Sequence, residues 1–158
     1  MQSRSAGRPA GVERVVIGVG DQLPDTELSL RDYLSDGPLL ILFFTEANTP
    51  LCTVQLCAFR DDEDMISALG ASVVAISSDP PWELGRFDDE HQFPFPLLSD
   101  PALEAAEAFG VIEESGKRAQ RAAFVADAQG TIQLAIPFYQ PNNLDDYQEI
   151  FVALGLDV

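Results

Sequence analysis

The segment "LLILFFTEANTPLCTVQLC", residues 39 to 57, decides the fold and contains both cysteines of the chain, Cys52 and Cys57. Its first six residues form a continuous apolar run, which is typical of a strand buried on both faces of a sheet. Proline is favoured in the first turn of a helix, so Pro50 predicts that a helix begins there. The segment therefore predicts a buried strand that leads directly into a helix, with Cys52 in the first helical turn.

The same alternation continues along the chain. The helix that begins at Pro50 is expected to run to a closing glycine, Gly70. The apolar stripe of this helix is expected to consist of Leu51, Leu56, Phe59, Ile66 and Leu69. Further strands and helices are expected in the order strand 71–78, helix 80–91, a loop with a short strand 93–100, and helix 102–110.

The pattern then changes to a hairpin and a last helix. The strand-like runs "RAAFVAD" (121–127) and "TIQLAIPF" (131–138) are joined by "AQG", which predicts a hairpin. Near the end of the chain, one helical face carries Leu144, Tyr147, Ile150, Phe151 and Leu154. This order predicts an α/β fold with a mixed central sheet and helices on both faces. The thioredoxin-like fold has this order, although other α/β folds share parts of it.

Charge and composition restrict the partners. The net charge is −17, from 26 acidic and 9 basic residues, which disfavours binding to nucleic acid and to anionic membranes. We expect residues 1–14 to form a disordered tail, with a transit peptide as the alternative, and residues 15–158 to form a single domain. No secretory signal is recognised, and two cysteines do not make a secreted disulfide framework, so a cytoplasmic location is predicted.

The two cysteines differ in their expected chemistry. Helix N-termini favour anions, so Cys52 is expected to have a lowered pKa and a nucleophilic thiolate, with Asn48 or Thr49 capping the helix. On an intact helix, Cys57 would lie about 140° around and about 7.5 Å along from Cys52, roughly 8.7 Å between Cα atoms. That separation exceeds the limit of about 7 Å for a disulfide. Cys57 is therefore either a resolving thiol that needs the first turns to unwind or a small apolar residue of the core.

No metal site and no cofactor are expected. Two cysteines and one histidine, His91, do not supply the four ligands of a zinc site. His91 is expected to be a surface residue without a role.

The segment "NTPLCTVQLCAFRD" (48–61) resembles the active-site segment of the peroxiredoxins, of the AhpC/TSA type. It is most similar to the peroxiredoxin Q group, also called bacterioferritin comigratory protein, whose pattern Thr-Pro-x-Cys-Thr-x-Gln-x-Cys-x-Phe-Arg-Asp residues 49–61 match throughout. The resemblance extends over most of the chain, through "VGDQLPDTEL" (19–28), "VVAISSDPP", "FPFPLLSD" and "RAAFVADAQGTIQLA" (121–135).

The resemblance implies a thioredoxin-like fold and a thioredoxin-dependent peroxidase that reduces hydrogen peroxide and organic hydroperoxides. It assigns Cys52 as the peroxidatic cysteine and Cys57 as the resolving cysteine, which together form an intramolecular disulfide that thioredoxin or a similar dithiol reduces. Thr49 would bind the peroxide, Arg121 would hold thiolate and substrate together, and Gln55 would orient Arg121. A monomer or a weak homodimer is expected. For Arg121, the alternative is a surface ion pair with a nearby acid.

One position departs from the family pattern. A proline usually stands seven residues before the peroxidatic cysteine, and this chain has Thr45 there. Threonine lacks the fixed φ of proline and has a free backbone N–H. The departure keeps two alternatives open: a redox-responsive or interaction module with little peroxidase activity, and a thiol–disulfide oxidoreductase.

Overall fold

The computed structural model describes residues 16–156 and places the apolar run of the opening segment, strand β1 (Leu39–Phe43), at the centre of a five-stranded sheet. The other strands are β2 (Ser72–Ser77), β3 (Leu97–Ser99), β4 (Ala122–Ala126) and β5 (Ile132–Ile136). Their order is β3–β2–β1–β4–β5, with β1, β2 and β3 parallel and β4 antiparallel to both β1 and β5. The predicted mixed sheet and hairpin are confirmed, while the predicted tail, residues 1–14, lies outside the described residues.

In the described part of the chain, five α-helices connect and cover the strands: α1 (Pro50–Asp61), α2 (Glu63–Ala68), α3 (Pro81–His91), α4 (Glu104–Phe109) and α5 (Leu144–Ala153). A short 3₁₀ turn, Leu30–Tyr33, was not predicted. Within residues 16–156, none of the helices has the length and apolar character that crossing a bilayer requires.

The side chains of β1 alternate between two separate apolar cores because successive residues of a strand point to opposite faces. Leu40 and Leu42 pack with α1, α3 and α5, whereas Leu39, Ile41 and Phe43 pack with α4. Helices on both faces of the sheet, as predicted, explain why this strand is apolar at every position.

The buried stripe of α1 begins at Cys52 and not at Leu51. Cys52, Gln55, Leu56 and Phe59 are buried, which is the i, i+3, i+4, i+7 spacing of one helical face. Leu51 lies off this face and is 47% exposed. The prediction that Leu51 belongs to the apolar stripe was wrong: the neighbouring residue, Cys52, occupies the buried position instead. Leu144, at the start of α5, is likewise exposed.

The single helix predicted for residues 50–70 is two helices that meet at Asp62. The hydroxyl of Tyr147 in α5 hydrogen-bonds the carboxylate of Asp62 and lies 3.0 Å from the carbonyl oxygen of Ala58. A side chain 85 residues away in the sequence thus fixes the end of α1.

Tyr147→Phe is expected to lower the free energy of unfolding by about 1–3 kcal/mol because the Asp62 carboxylate loses its donor. Tyr139→Phe is the matched control, since the buried hydroxyl of Tyr139 has no hydrogen-bond partner among the described residues. Chemical denaturation of both variants measures the difference. Equal destabilisation by the two substitutions would show that the Tyr147 hydroxyl does not hold the end of α1.

Candidate functional site

Cys52 lies where the central strand feeds the first helix. The chain leaves β1 at Phe43, passes through a loop over residues 44–49 and enters α1 at Pro50. Asp79, which follows β2, holds this loop by accepting the Ala47 N–H at 2.8 Å and the Ser77 hydroxyl at 2.7 Å. Cys52 is consequently buried in the first turn of α1, and its side chain is 0% exposed.

Arg121 reaches Cys52 because of the strand register. Phe43 pairs with Ala122 in the antiparallel β1–β4 ladder, so the residue before Ala122 lies beside the start of the loop that follows β1. Nη1 of Arg121 is 3.6 Å from Sγ of Cys52 and 3.4 Å from the hydroxyl oxygen of Thr45. The contact with Cys52 is the one expected for a residue that serves a thiolate.

Arg121 is not part of a surface ion pair within the described residues. The nearby acids Glu46 and Glu113 are both paired with Arg118, at 3.0 Å and 3.5 Å. Because Arg118 takes these carboxylates, the guanidinium of Arg121 is left to the sulfur and to Thr45.

Thr45 is in direct contact with the sulfur, which sequence reasoning did not foresee. Its hydroxyl oxygen lies 3.1 Å from Sγ of Cys52. The sequence marked Thr45 only as a departure from the usual proline. The sequence did show that the usual proline is replaced by a residue with a hydroxyl group. Only the path of the loop over residues 44–49 shows that this hydroxyl contacts Cys52.

The environment of Cys52 favours its thiolate. Burial works to raise the pKa of Cys52, but the hydroxyls of Thr45 and Thr49 and the backbone of Glu46 and Thr45 lower it. The result is a pKa below the ordinary value for cysteine, in the predicted direction. The backbone groups that contribute belong to the loop and not to the first turn of α1, where the sequence placed them.

Thr49 and Gln55 lie near this centre with partners of their own. Thr49 occupies the cap position of α1 without a side-chain cap bond, and its hydroxyl donates to the Glu46 carbonyl at 2.8 Å. Gln55 is buried and donates to the carbonyl of Phe43 at 3.2 Å. Within residues 16–156, no hydrogen bond joins Gln55 to Arg121, and Gln55 Oε1 has no partner.

Cys57 lies apart from Cys52, on a different side of α1. Its Sγ is 3.8 Å from Nδ1 of His91, and the guanidinium of Arg60 donates to the His91 carbonyl at 2.8 Å. Burial raises the pKa of Cys57, with Asp61 adding to this effect and Arg60 opposing it. His91, expected at the surface, is only partly exposed: its side chain is 24% exposed and its ring packs against Phe87.

A cavity of about 200 Å³ opens beside the guanidinium of Arg121. Its lining consists of Thr45, Glu113, Gln120, Arg121, Phe138, Tyr139 and Gln140. A larger cavity of about 520 Å³ lies between β5 and α5, but its lining contains no cysteine and no arginine. The smaller cavity therefore offers a small molecule the approach to the two residues that contact the sulfur.

Comparison with known proteins gives a consistent picture. The AhpC/TSA family model matches residues 19–135. A putative peroxiredoxin of Mycobacterium tuberculosis is 40% identical over 122 residues, covering 72% of this chain and 77% of that protein. Peroxiredoxin Bcp of Escherichia coli is 35% identical over 133 residues, covering 78% of this chain and 85% of that protein.

Solved structures agree. The crystal structure of peroxidoxin BcpB from Mycobacterium tuberculosis superposes with a TM-score of 0.79 at 31% identity, covering 87% of this chain and 96% of that chain. A PrxQ mutant from Xylella fastidiosa superposes with a TM-score of 0.76 at 22% identity, covering 88% and 98%. The predicted thioredoxin-like fold is thereby confirmed.

The two thiols are expected to titrate in opposite directions from the ordinary cysteine value. In a Cys57→Ser variant, the ultraviolet absorbance of the remaining thiolate should show a midpoint below that value, and in a Cys52→Ser variant a midpoint above it. Because folding favours the ionised form of Cys52, its contribution to stability grows as the pH rises through its folded pKa and is lost as the pH falls through it. Because the folded pKa of Cys57 is raised, its contribution to stability is present at low pH and is lost as the pH rises through that pKa. Coinciding midpoints would contradict this assignment.

Proposed function

This chain belongs to the AhpC/TSA family, the peroxiredoxins, and from that membership we propose that it is a thiol-dependent peroxidase acting through Cys52. The observation that supports this proposal most directly is the buried sulfur of Cys52 with the Thr45 hydroxyl at 3.1 Å and the Arg121 guanidinium at 3.6 Å. A thiolate is the reactive form of cysteine, and this arrangement stabilises a thiolate.

In the proposed first step, the Cys52 thiolate attacks one oxygen of hydrogen peroxide or of an organic hydroperoxide. An S–O bond forms to the hydrogen-bearing terminal oxygen and the O–O bond breaks, and the second oxygen leaves with the electron pair and takes a proton from solvent to become water or an alcohol. Cys52 is oxidised to a sulfenic acid. Arg121 is suited to stabilise the negative charge that develops on the leaving oxygen, because its guanidinium is fixed before the reaction begins.

Thr49 is proposed to bind the incoming peroxide. Its hydroxyl donates a hydrogen bond to the Glu46 carbonyl at 2.8 Å. Rotation about the Cα–Cβ bond would point the same O–H group at a peroxide oxygen, to which it would donate a hydrogen bond instead. Gln55 is proposed to act further from the reaction: its bond to the Phe43 carbonyl supports the end of β1, which pairs with the strand that Arg121 immediately precedes.

Cys57 is proposed to resolve the sulfenic acid by attacking its sulfur, which forms an intramolecular disulfide and releases water. Both thiols are free and lie on one continuous helix, where the Cα atoms of residues five apart are about 8.7 Å apart, too far for a disulfide. The first turns of α1 must therefore unwind. The absence of a side-chain cap bond at Thr49, within the described structure, favours such local unwinding.

Reduction of the disulfide is proposed to come from thioredoxin or a similar dithiol protein, by thiol–disulfide exchange. The cytoplasmic location and the monomer or weak homodimer expected from the sequence remain predictions. So does the single domain spanning residues 15–158.

Mass spectrometry after one equivalent of hydrogen peroxide tests this proposal on the reduced protein. The wild type should form an intramolecular disulfide between Cys52 and Cys57. The Cys57→Ser variant should stop at a sulfenic acid on Cys52, and the Cys52→Ser variant should leave the peroxide unconsumed.

Three outcomes would count against the proposal. Peroxide that survives in the presence of reduced wild type would exclude a peroxidase. A disulfide that forms once but is not turned over by thioredoxin would favour a redox-responsive module. Reduction of insulin disulfides without peroxide consumption would favour a thiol–disulfide oxidoreductase.

A further inference from the structure

The hydroxyl of Thr45 lies between the two groups that the proposed peroxidase reaction needs. Its oxygen is 3.1 Å from Sγ of Cys52 and 3.4 Å from Nη1 of Arg121. Resting on the proposed function, we propose that Thr45 is a further catalytic residue, which donates a hydrogen bond to the reacting sulfur and links that sulfur to Arg121.

The direction of these hydrogen bonds follows from the donors available. A guanidinium has only donors, so the Thr45 oxygen accepts from Arg121. A thiolate has no hydrogen, so the hydrogen of Thr45 points to Cys52. The sulfur thus accepts a hydrogen bond from Arg121 directly, at 3.6 Å, and is also linked to Arg121 through the Thr45 hydroxyl. A hydroxyl that accepts from a cation becomes a stronger donor, because linked hydrogen bonds polarise one another.

Thr49, the other hydroxyl close to the sulfur, is engaged elsewhere. It has a single hydrogen and gives it to the Glu46 carbonyl at 2.8 Å. Both hydroxyls lower the pKa of Cys52, but Thr45 is the one that contacts the sulfur, at 3.1 Å, while the hydrogen of Thr49 points to the Glu46 carbonyl.

Among the titratable groups of this pocket, Cys52 is the one whose ordinary pKa lies closest to neutrality. The charged or titratable groups around it in the described structure are Arg121 just before β4, Glu46 in the loop with its partner Arg118, Asp79 after β2, and Glu113 and Tyr139 in the cavity lining. None of these is an imidazole or a second thiol. A change at Thr45 should therefore appear as a change in the ionisation of Cys52 alone.

This role predicts a particular kinetic signature. Loss of the Thr45 hydrogen bond raises the thiolate midpoint of Cys52, so at pH values around and below that midpoint the thiolate fraction and the peroxide rate both fall. At alkaline pH all of the sulfur is ionised with or without Thr45, so the rate should return to the wild-type plateau. A hydroxyl that mattered only for packing would lower the rate at every pH.

The test uses Thr45→Val and Thr45→Ser in a Cys57→Ser background, so that only Cys52 titrates. Thr45→Val keeps the shape of the side chain and removes the hydroxyl, and it should raise the thiolate midpoint by about one pH unit. At a pH below both midpoints the rate of hydrogen peroxide consumption should fall about tenfold, with the alkaline plateau retained. Thr45→Ser should behave like threonine.

Thr131→Val is the matched control, because the Thr131 hydroxyl bonds Gln22 and should leave the midpoint unchanged. Thermal melting verifies folding, and Thr45→Ala replaces Thr45→Val if the latter does not fold. An unshifted midpoint, a loss of rate at every pH, or a serine variant that shifts as far as valine would overturn the proposal. Titration needs no peroxide: a wild type that consumes none defeats the proposed function, whereas an unshifted valine variant defeats only the role of Thr45.

Discussion

A negatively charged sulfur kept out of water is the constraint on which this structure depends. Cys52 is fully buried, and an ion in that position is costly unless hydrogen-bond donors replace the water it has lost. The loop that follows β1 provides donors from Thr45 and Glu46, and the register of β4 adds the guanidinium of Arg121. The sheet topology matters for function because it brings these two segments together.

The surroundings separate the two thiols into different chemical states. Cys52 has donors on several sides and a lowered pKa, whereas Cys57 packs beside His91 with a raised pKa. One thiol is thus suited to attack and the other to remain protonated until the first turns of α1 open. The chain has a surplus of acids, and two of them, Glu46 and Glu113, lie near Arg121. Both are paired with Arg118, so the guanidinium of Arg121 stays in contact with Cys52.

The strands, the hairpin and the position of Cys52 could be predicted because they depend on local patterns: apolar runs, turn residues and a proline at a helix start. The failures depended on distant contacts. The break between α1 and α2 lies at Asp62, which hydrogen-bonds Tyr147 of the last helix, and Leu51 is exposed while Cys52 occupies the buried face. The contact of Thr45 with the sulfur required the path of the loop. At this position threonine supplies a hydroxyl and a backbone N–H, neither of which a proline could offer.

The central claim is that Arg121 helps the Cys52 thiolate to break an oxygen–oxygen bond. Stopped-flow reaction of reduced protein with hydrogen peroxide, at a pH where Cys52 is fully ionised, tests it most directly. Arg121→Met should slow the reaction about a hundredfold, the usual effect of removing one fixed charge-stabilising group, whereas Arg86→Met, at an exposed arginine of α3, should react like the wild type. An Arg121→Met variant that matches the wild-type rate would contradict the account.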